Sequence, residues 1–284
     1  MKFDQIVLSG ATESIVLFDH KQPRSTPYTA RTIDGLGPTD VDVTLAQTSQ
    51  GTGIYIGRRE QLREITANIF FNPNYFLGQT PESLREEIYL LRPGNDDLSL
   101  DFRLLLNGIE VAMTPVYVKR VEVAPFSKDS ILQIVLASTS GYFHQRDPEV
   151  LTNPDLDKVL PTFVNKGSVE TGFKLIMEFT GQVTSFGLHQ SYPTNELSMV
   201  RGIAPAYLFT AGDVVEINTN IGERGIWLKR GAAAPVSIIN RLTNASTWLS
   251  LYPGENQIRV ATNVPGFTGF TWRSIEHTPK FKGV

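Results

Sequence analysis

GDVVEINTNIGERGIWLKRGAAAPVSIINRLTNASTWLSLYPGENQIRVAT, residues 212–262, alternates short apolar runs with turn chemistry. Val214-Val215-Glu216-Ile217 is a β-branched run of the kind that fits a pleated, half-buried surface. Asn218 to Gly225 supplies the polar and glycine residues of a turn, and Ile226-Trp227-Leu228 reads as a second strand closed by Gly231 and Pro235. Ser246-Thr247-Trp248-Leu249 approaches a third strand, and Pro253-Gly254 is a strong turn signal. Gln257 to Ala261 then places Ile258 and Val260 on one face, alternating with Gln257, Arg259 and Ala261. Short strands at this spacing, divided by turn residues, predict an antiparallel sandwich or barrel.

Composition sets the outer bounds. A chain of 284 residues has room for one large domain or two ordinary ones. Charged residues at 19% and aromatic residues at 10% suit a folded β protein and argue against disorder. The formal charge of −3 implies no bulk attraction to nucleic acid. Without cysteine there is neither a disulfide scaffold nor a thiolate metal site. The opening stretch MKFDQIVLSGATESIVLFD carries acids inside its apolar run, which argues against a signal peptide. No apolar run approaches the roughly 18 residues of a membrane span. The expectation is a soluble protein made in the cytosol.

Upstream, the same β pattern recurs. Phe3 to Leu8 and Ser14 to Phe18 read as strands across a Ser9-Gly10 turn. Residues 19 to 40, punctuated by Pro23, Pro27, Gly35, Gly37 and Pro38, read as a long excursion. Asp40-Val41-Asp42-Val43 suggests an exposed-face strand, and Gly51 to Gly57 reads as a loop entering a strand because it lacks dinucleotide-loop spacing. Ile65, Ala67, Ile69 and Phe71 alternate along a strand that ends at Asn72-Pro73. One helix is expected over 80–92, capped by Thr80 with Pro81 at its first position. Its apolar stripe is Leu84, Ile88 and Leu91. Leu98 to Leu106 and Ile109 to Met113 flank Asn107-Gly108, a hairpin signal, and Val116–Val123 and Ser130–Ala137 read as two more strands.

His144 to Pro161, with Asp147-Pro148, Asn153-Pro154 and Pro161, is the best boundary in the chain. The expected organisation is an N-terminal β domain over 1–145, a linker over 146–164 and a second β domain over 165–284. That second domain reopens at Asn165-Lys166-Gly167-Ser168-Val169-Glu170-Thr171-Gly172-Phe173, with Phe173, Leu175, Met177 and Phe179 on one face.

These segments resemble the distal tail proteins, hubs at the tail tip of bacteriophages with long, non-contractile tails. The resemblance is carried by Gly212-Asp213 through Ile217-Asn218-Thr219, then Ser246, Trp248-Leu249, Leu251, Pro253-Gly254, Asn256 and Ile258. Asn165, Gly167, Glu170-Thr171 and Phe173, followed by Phe179-Thr180-Gly181, match the opening of the family's second domain. The strand, helix and meander order of the first half is similar too, although Leu136 to Phe143 lacks the cysteine and Asp-Pro often found there. The resemblance implies an all-β fold with one helix in the N-terminal half. It implies a β-sandwich-like domain that closes a ring of six copies, followed by a galectin-like β-sandwich. It also implies a structural role in the virion tail tip, with assembly in the host cytoplasm. The implied partners are further copies of the chain, the tail tube protein, a tail-associated lysin-type protein and receptor-binding or adhesion proteins. A channel would pass DNA without specific nucleic-acid binding, and no membrane insertion is implied.

The residues offer little chemistry. His20, His144, His189 and His277 are dispersed, without the three or four converging ligands a metal site needs. Ser9-Gly10 and Ser140-Gly141 lack the glycine of a nucleophile elbow, and Asp40/Asp42 and Asp96/Asp97 are unplaced carboxylate pairs. No catalytic residue, metal or cofactor is therefore expected. Trp227, Trp248 and Trp272 could stack on sugars, but the His, Asn, Arg and Trp set of galectins is missing around His189. A carbohydrate-binding sandwich module of the tail tip stands as the alternative function, and a β-sandwich glycosidase as a third reading. For self-association the candidates are Ile69, Phe70, Phe71, Tyr75 and Phe76, which put large side chains on both faces of one strand. Glu13, Asp19, Asp34, Asp40 and Asp42 are the acids that could line a channel and repel phosphates.

Overall fold

Strands dominate the chain wherever the computed structural model describes it, over residues 3–10, 14–22, 26–38, 41–47, 53–60, 62–90, 100–106, 109–123, 131–152, 162–191, 201–262 and 269–283. Two units divide it: Met1–Arg146 with Phe281–Val284, and Asp147–Lys280.

Unit 1 holds β1 (Phe3–Ser9), β2 (Ser14–Asp19), β3 (Tyr28–Asp34), β4 (Val41–Gln47), β5 (Gly53–Glu60) and β6 (Arg63–Phe71). Helix α1 (Pro81–Leu90) follows, then β7 (Leu100–Leu106), β8 (Ile109–Val123), β9 (Ile131–Ser138) and β10 (Phe143–Gln145). The main sheet runs β2-β1-β7-β8-β9-β6-β3 with every neighbour antiparallel, while β4 and β5 pair apart as a two-stranded ribbon. Period-two alternation puts Ile65, Ala67, Ile69 and Phe71 of β6 into the core beside Leu8, Leu17, Leu132 and Ile134. Helix α1 lays Leu84 and Ile88 on the same core. Thr80 starts it by a reciprocal cap: Ser83 N donates to Thr80 Oγ1 at 3.1 Å and Thr80 N donates to Ser83 Oγ at 3.0 Å. Tyr28 ties helix to sheet by donating its hydroxyl to Glu87 Oε2 at 2.5 Å, with the Leu84 carbonyl 3.1 Å away. Burial and the Glu87 carboxylate push the Tyr28 phenol well above its usual range.

Arg63 is the unusual member of this core. It is only 2% exposed. Its guanidinium donates to the carbonyls of Gly35 at 2.7 Å, Gly37 at 2.6 Å and Gly141 at 3.0 and 3.1 Å, and to that of Lys282. The same group lies 4.6 Å from the centre of the Phe143 ring. Burial pushes its pKa below the usual value, and no carboxylate is among these partners. Carbonyl dipoles and an aromatic face do the solvating, and in return one side chain clamps three separate stretches of chain.

Unit 2 is two sheets around one core. Its strands are β11 (Glu149–Thr152), β12 (Thr162–Asn165), β13 (Phe173–Phe179), β14 (Val183–Ser191), β15 (Arg201–Ile203), β16 (Ala206–Phe209), β17 (Asp213–Asn218), β18 (Gly225–Arg230), β19 (Val236–Ser237), β20 (Gly254–Thr262) and β21 (Phe270–His277). One sheet is ordered β11-β21-β13-β17-β18-β19, the other β12-β20-β14-β15 with β16 on β14. Phe173, Leu175, Met177 and Phe179 are all fully buried, and at roughly 1.5–3 kcal/mol for each large apolar side chain this face alone is a major stabilising term. Phe179 of one sheet stacks on Phe209 at 4.8 Å and sits 5.4 Å from Phe186 of the other.

Several polar residues of the motifs are buried fasteners of this unit. Asn256 Oδ1 accepts from Tyr252 N at 2.8 Å while its Nδ2 donates to the Tyr252 and Gly254 carbonyls at 2.7 and 2.9 Å. Asn165 accepts from Gly167 N at 2.9 Å and donates to the Val169 and Leu251 carbonyls at 3.0 and 3.1 Å. Thr219 Oγ1 accepts from Phe173 N at 2.8 Å. Each hydrogen bond satisfies a backbone group that a sharp turn would otherwise leave unpaired.

Four expectations change. Residues 19–40 are not one excursion, because β3 lies within them and pairs along β6 from Tyr28↔Phe71 to Asp34↔Thr66. Val116–Val123 is not a strand of its own: Ile109–Val123 is continuous, pairing with β7 in its first half and with β9 in its second. Ser246–Leu249 is irregular and not a strand. Its backbone is held by single bonds, Thr247 N to Gly202 O at 2.7 Å and Ser246 N to Thr243 O at 2.9 Å, while Leu249 is buried. The 146–164 stretch, read as a linker, contains β11, paired with β21 at Leu151↔Ile275, and most of β12. Unit 1 also takes back the chain from Phe281. Leu91, Asn107 and Gly108 lie outside the described residues, although Leu106 pairs with Ile109 across the expected turn.

Candidate interaction sites

In unit 1, β6 ends and the chain makes a short 3-10 turn at Tyr75–Leu77. Asn74 builds it: Phe76 N donates to Asn74 Oδ1 at 3.1 Å, and Leu77 N and Gln79 N donate to Asn74 O at 3.0 and 3.2 Å. Gln79 Oε1 returns the contact by accepting from Asn74 N at 3.0 Å. Gly78 closes the turn at φ 74°, a left-handed conformation that costs glycine nothing. The result is a fixed backbone with three large apolar side chains outside the core. Tyr75 is 71% exposed, Phe76 101% and Leu77 74%, and Leu90 at the end of α1 is 76% exposed.

The self-association residues therefore separate. Ile69 and Phe71 face the unit's own core, where Phe71 meets Tyr28 edge-on at 6.1 Å. Phe70 points the other way, half-buried beneath the Arg31 guanidinium at 5.4 Å. Tyr75 and Phe76 are free on the turn, joined by Leu77, which the sequence reading left out. A β-period argument covers Phe70 but ends at Asn72-Pro73, so nothing in it reaches a residue on the 3-10 turn.

In unit 2 the outward face of the six-stranded sheet forms a groove of about 960 Å³. Ile176 and Glu178 of β13, Val214 and Glu216 of β17, Trp227 and Lys229 of β18, and Arg273 and Ser274 of β21 line it. Lys174 holds Glu216 at 3.0 Å, and Arg273 holds Glu178 Oε2 with Nη2 at 2.6 Å and Nε at 3.0 Å.

The histidines stay apart from one another, and among the described residues no group of three or more His, Asp or Glu could hold a metal ion. His189 sits half-buried on the other sheet, with burial and Arg259 both lowering its pKa. His277 is 2% exposed; Glu149 Oε2 stands 3.6 Å from Nε2, and the Val164 backbone lies close enough to act on the ring. Burial lowers its pKa, partly opposed by Glu149 and by the Val164 backbone. Of the acids named for a channel, Asp34 is exposed, whereas Asp19 accepts from the Lys21 and Gln22 amides at 2.8 and 2.9 Å and closes a turn. Glu13 and Asp40 lie outside the described residues, and only the backbone of Asp42, in β4, is described.

Residues 166–274, inside unit 2, match the family model SPP1 Dit, siphovirus-type tail component, C-terminal domain. The whole chain is similar in structure to the SPP1 Dit (gp 19.1) protein, described as a paradigm of the hub adsorption apparatus in phages infecting Gram-positive bacteria. That likeness has a TM-score of 0.62 at 11% identity and covers 97% of this chain and 99% of the other. A chain of the phage p2 baseplate in its activated conformation with Sr aligns at a TM-score of 0.45 and 10% identity, over 99% of each chain. Its counterpart with Ca aligns at 0.46 and 10% identity over 100% of each. No curated protein matches by sequence.

Proposed function

We propose that this chain, a distal tail protein of the siphovirus type, is the structural hub of a tail tip: six copies close a ring that joins the tail tube to the host-adsorption apparatus. The observation that carries this reading is the family match of unit 2 joined to a fold shared end to end with SPP1 Dit. Unit 1 is the ring-forming part. In it Phe70, Tyr75, Phe76 and Leu77 meet the neighbouring copy, where burying three exposed side chains at roughly 1.5–3 kcal/mol each gives a contact worth repeating round a ring. Unit 2 faces the other tail-tip proteins: a tail-associated lysin-type protein and receptor-binding or adhesion proteins. The role is structural and not catalytic.

The ring leaves a channel for DNA. DNA carries one negative charge per about 1.7 Å, so a wall rich in lysine and arginine would retain it. A chain with a formal charge of −3 suits passage better than retention. Native mass spectrometry of the purified protein tests the reading. A six-fold species with no salt-sensitive affinity for double-stranded DNA is expected. Monomer at every concentration, with no ring recovered on adding tail-tube protein, would count against the hub, and tight salt-sensitive DNA binding against the conduit.

A further inference from the structure

We propose that the outward groove of the six-stranded sheet in unit 2 binds an uncharged oligosaccharide, with Trp227 as the platform on which a pyranose ring stacks. The platform begins with a glycine. Gly225 precedes Trp227 by two residues on β18 and so points to the same face of the sheet. A Cβ at Gly225 would stand 2.5 Å from Trp227 Cζ2 and 2.8 Å from Cζ3, so the six-membered ring of the indole lies over the bare backbone of Gly225. One side of the indole is thereby seated on the strand and the other is left to the groove. The ring is held before any ligand arrives, which lowers the ordering cost of binding. Its N–H has no hydrogen-bond partner among the described residues, so a donor stands ready at the edge of the platform.

Register places polar groups on either side. Glu216 of β17 is directly opposite Trp227, and Ser237 of β19 flanks it on the other side. One step along the same face, Lys229 carries no ion pair among the described residues, and Glu178 is gripped by Arg273. The ion pairs fix the carboxylates while leaving lone pairs for hydroxyl donors, and Lys229 supplies donors for hydroxyl acceptors. Two acids, Glu178 and Glu216, and two bases, Lys229 and Arg273, line the groove and cancel in formal charge. That balance favours a neutral ligand over a phosphate- or carboxylate-rich polymer.

A peptide fits less well. Strand addition needs a free sheet edge, whereas this groove lies on a sheet face. A docked helix needs a continuous apolar stripe, whereas here Ile176, Val214, Trp227 and Pro235 are interleaved with Glu178, Glu216, Lys229 and Arg273. The groove of about 960 Å³ gives room for more than one sugar ring. The inference stands apart from the hub reading, since a ring subunit functions with or without a sugar site.

The test uses the full-length protein with maltotriose, cellotriose, chitotriose and polygalacturonate as probes, read by saturation-transfer NMR and calorimetry. At least one neutral trisaccharide is expected to bind and to receive transfer from indole protons. Trp227→Ala should weaken it at least about tenfold, as loss of one stacked ring does, and Trp227→Phe should retain part of it. Gly225→Val, which lifts the ring, should act like Trp227→Ala, and Trp248→Ala should bind as the parent does. Melting curves check that each variant is folded. Binding that survives Trp227→Ala in a folded protein overturns the site. No transfer from any neutral trisaccharide at millimolar concentration overturns the ligand class, as does preference for polygalacturonate.

Discussion

Replacing Arg63 by Met keeps much of the volume and the apolar stem but removes every donor. Four backbone carbonyls, those of Gly35, Gly37, Gly141 and Lys282, lose their partner inside a site where the arginine is 2% exposed. An orphaned buried acceptor costs about 1–3 kcal/mol, so the gross loss is roughly 4–12 kcal/mol. Against this, the folded protein no longer desolvates a guanidinium, which returns several kcal/mol. A methionine also keeps part of the contact with Phe143. The net expectation is a loss of about 3–5 kcal/mol, in the range seen when one partner of a buried charged contact is removed. For a unit of this size that lowers Tm by roughly 6–20 °C. Differential scanning calorimetry of the full chain is the assay, with one transition expected for each unit. The transition of unit 1 should fall while that of unit 2 stays in place, and Arg63→Lys, which keeps charge but not the fork, should fall between. A loss below about 1 kcal/mol for Arg63→Met would refute the reasoning, since the carbonyls would then be finding other partners.

Phe76→Ser removes a side chain that is 101% exposed, so monomer stability should stay within about 0.5 kcal/mol while analytical ultracentrifugation shows the ring shifted towards monomer. Phe209→Ala opens a cavity beside Phe179 and Phe186 and should destabilise unit 2 by about 3–5 kcal/mol in urea titrations. His277 is held neutral by burial, so its folded pKa lies below the unfolded value of about 6.5. Below that pH the unfolded chain binds more protons, and unit 2 should lose stability as pH falls from about 7.5 to 5; in His277→Leu this slope should flatten, measured by Tm against pH. Thr80→Ala breaks the reciprocal cap with Ser83 and should cost unit 1 about 0.5–2 kcal/mol in the same urea assay.

What the residues reveal without coordinates follows the range of the forces involved. Phe173, Leu175, Met177 and Phe179 declare their strand because burial on one face imposes a period of two, and all four are fully buried. Thr80-Pro81 declares the helix because capping is local, within three residues. Tyr28–Asp34 escapes because its partner is β6, more than thirty residues on, and its own residues carry no apolar alternation. Ser246–Leu249 misleads for the opposite reason: Leu249 is buried and Trp248 half-buried, but the Ser246 and Thr247 amides bond singly to Thr243 and to β15 instead of forming a ladder. Among the self-association residues, alternation tells Phe70 from Ile69 and Phe71, while the exposure of Tyr75, Phe76 and Leu77 depends on a turn set by Asn74 and Gln79. The groove around Trp227 was out of reach because Glu178, Glu216 and Arg273 come from three strands whose register only pairing defines.

Cryo-electron microscopy of tails that carry this chain tests the hub most directly. The account predicts six copies in one closed ring at the distal end of the tail tube, with the Tyr75–Leu77 turn covered by a neighbouring copy and an open axial channel. Density for this chain elsewhere in the virion, or as separate subunits with the Tyr75–Leu77 turn in solvent, would contradict it.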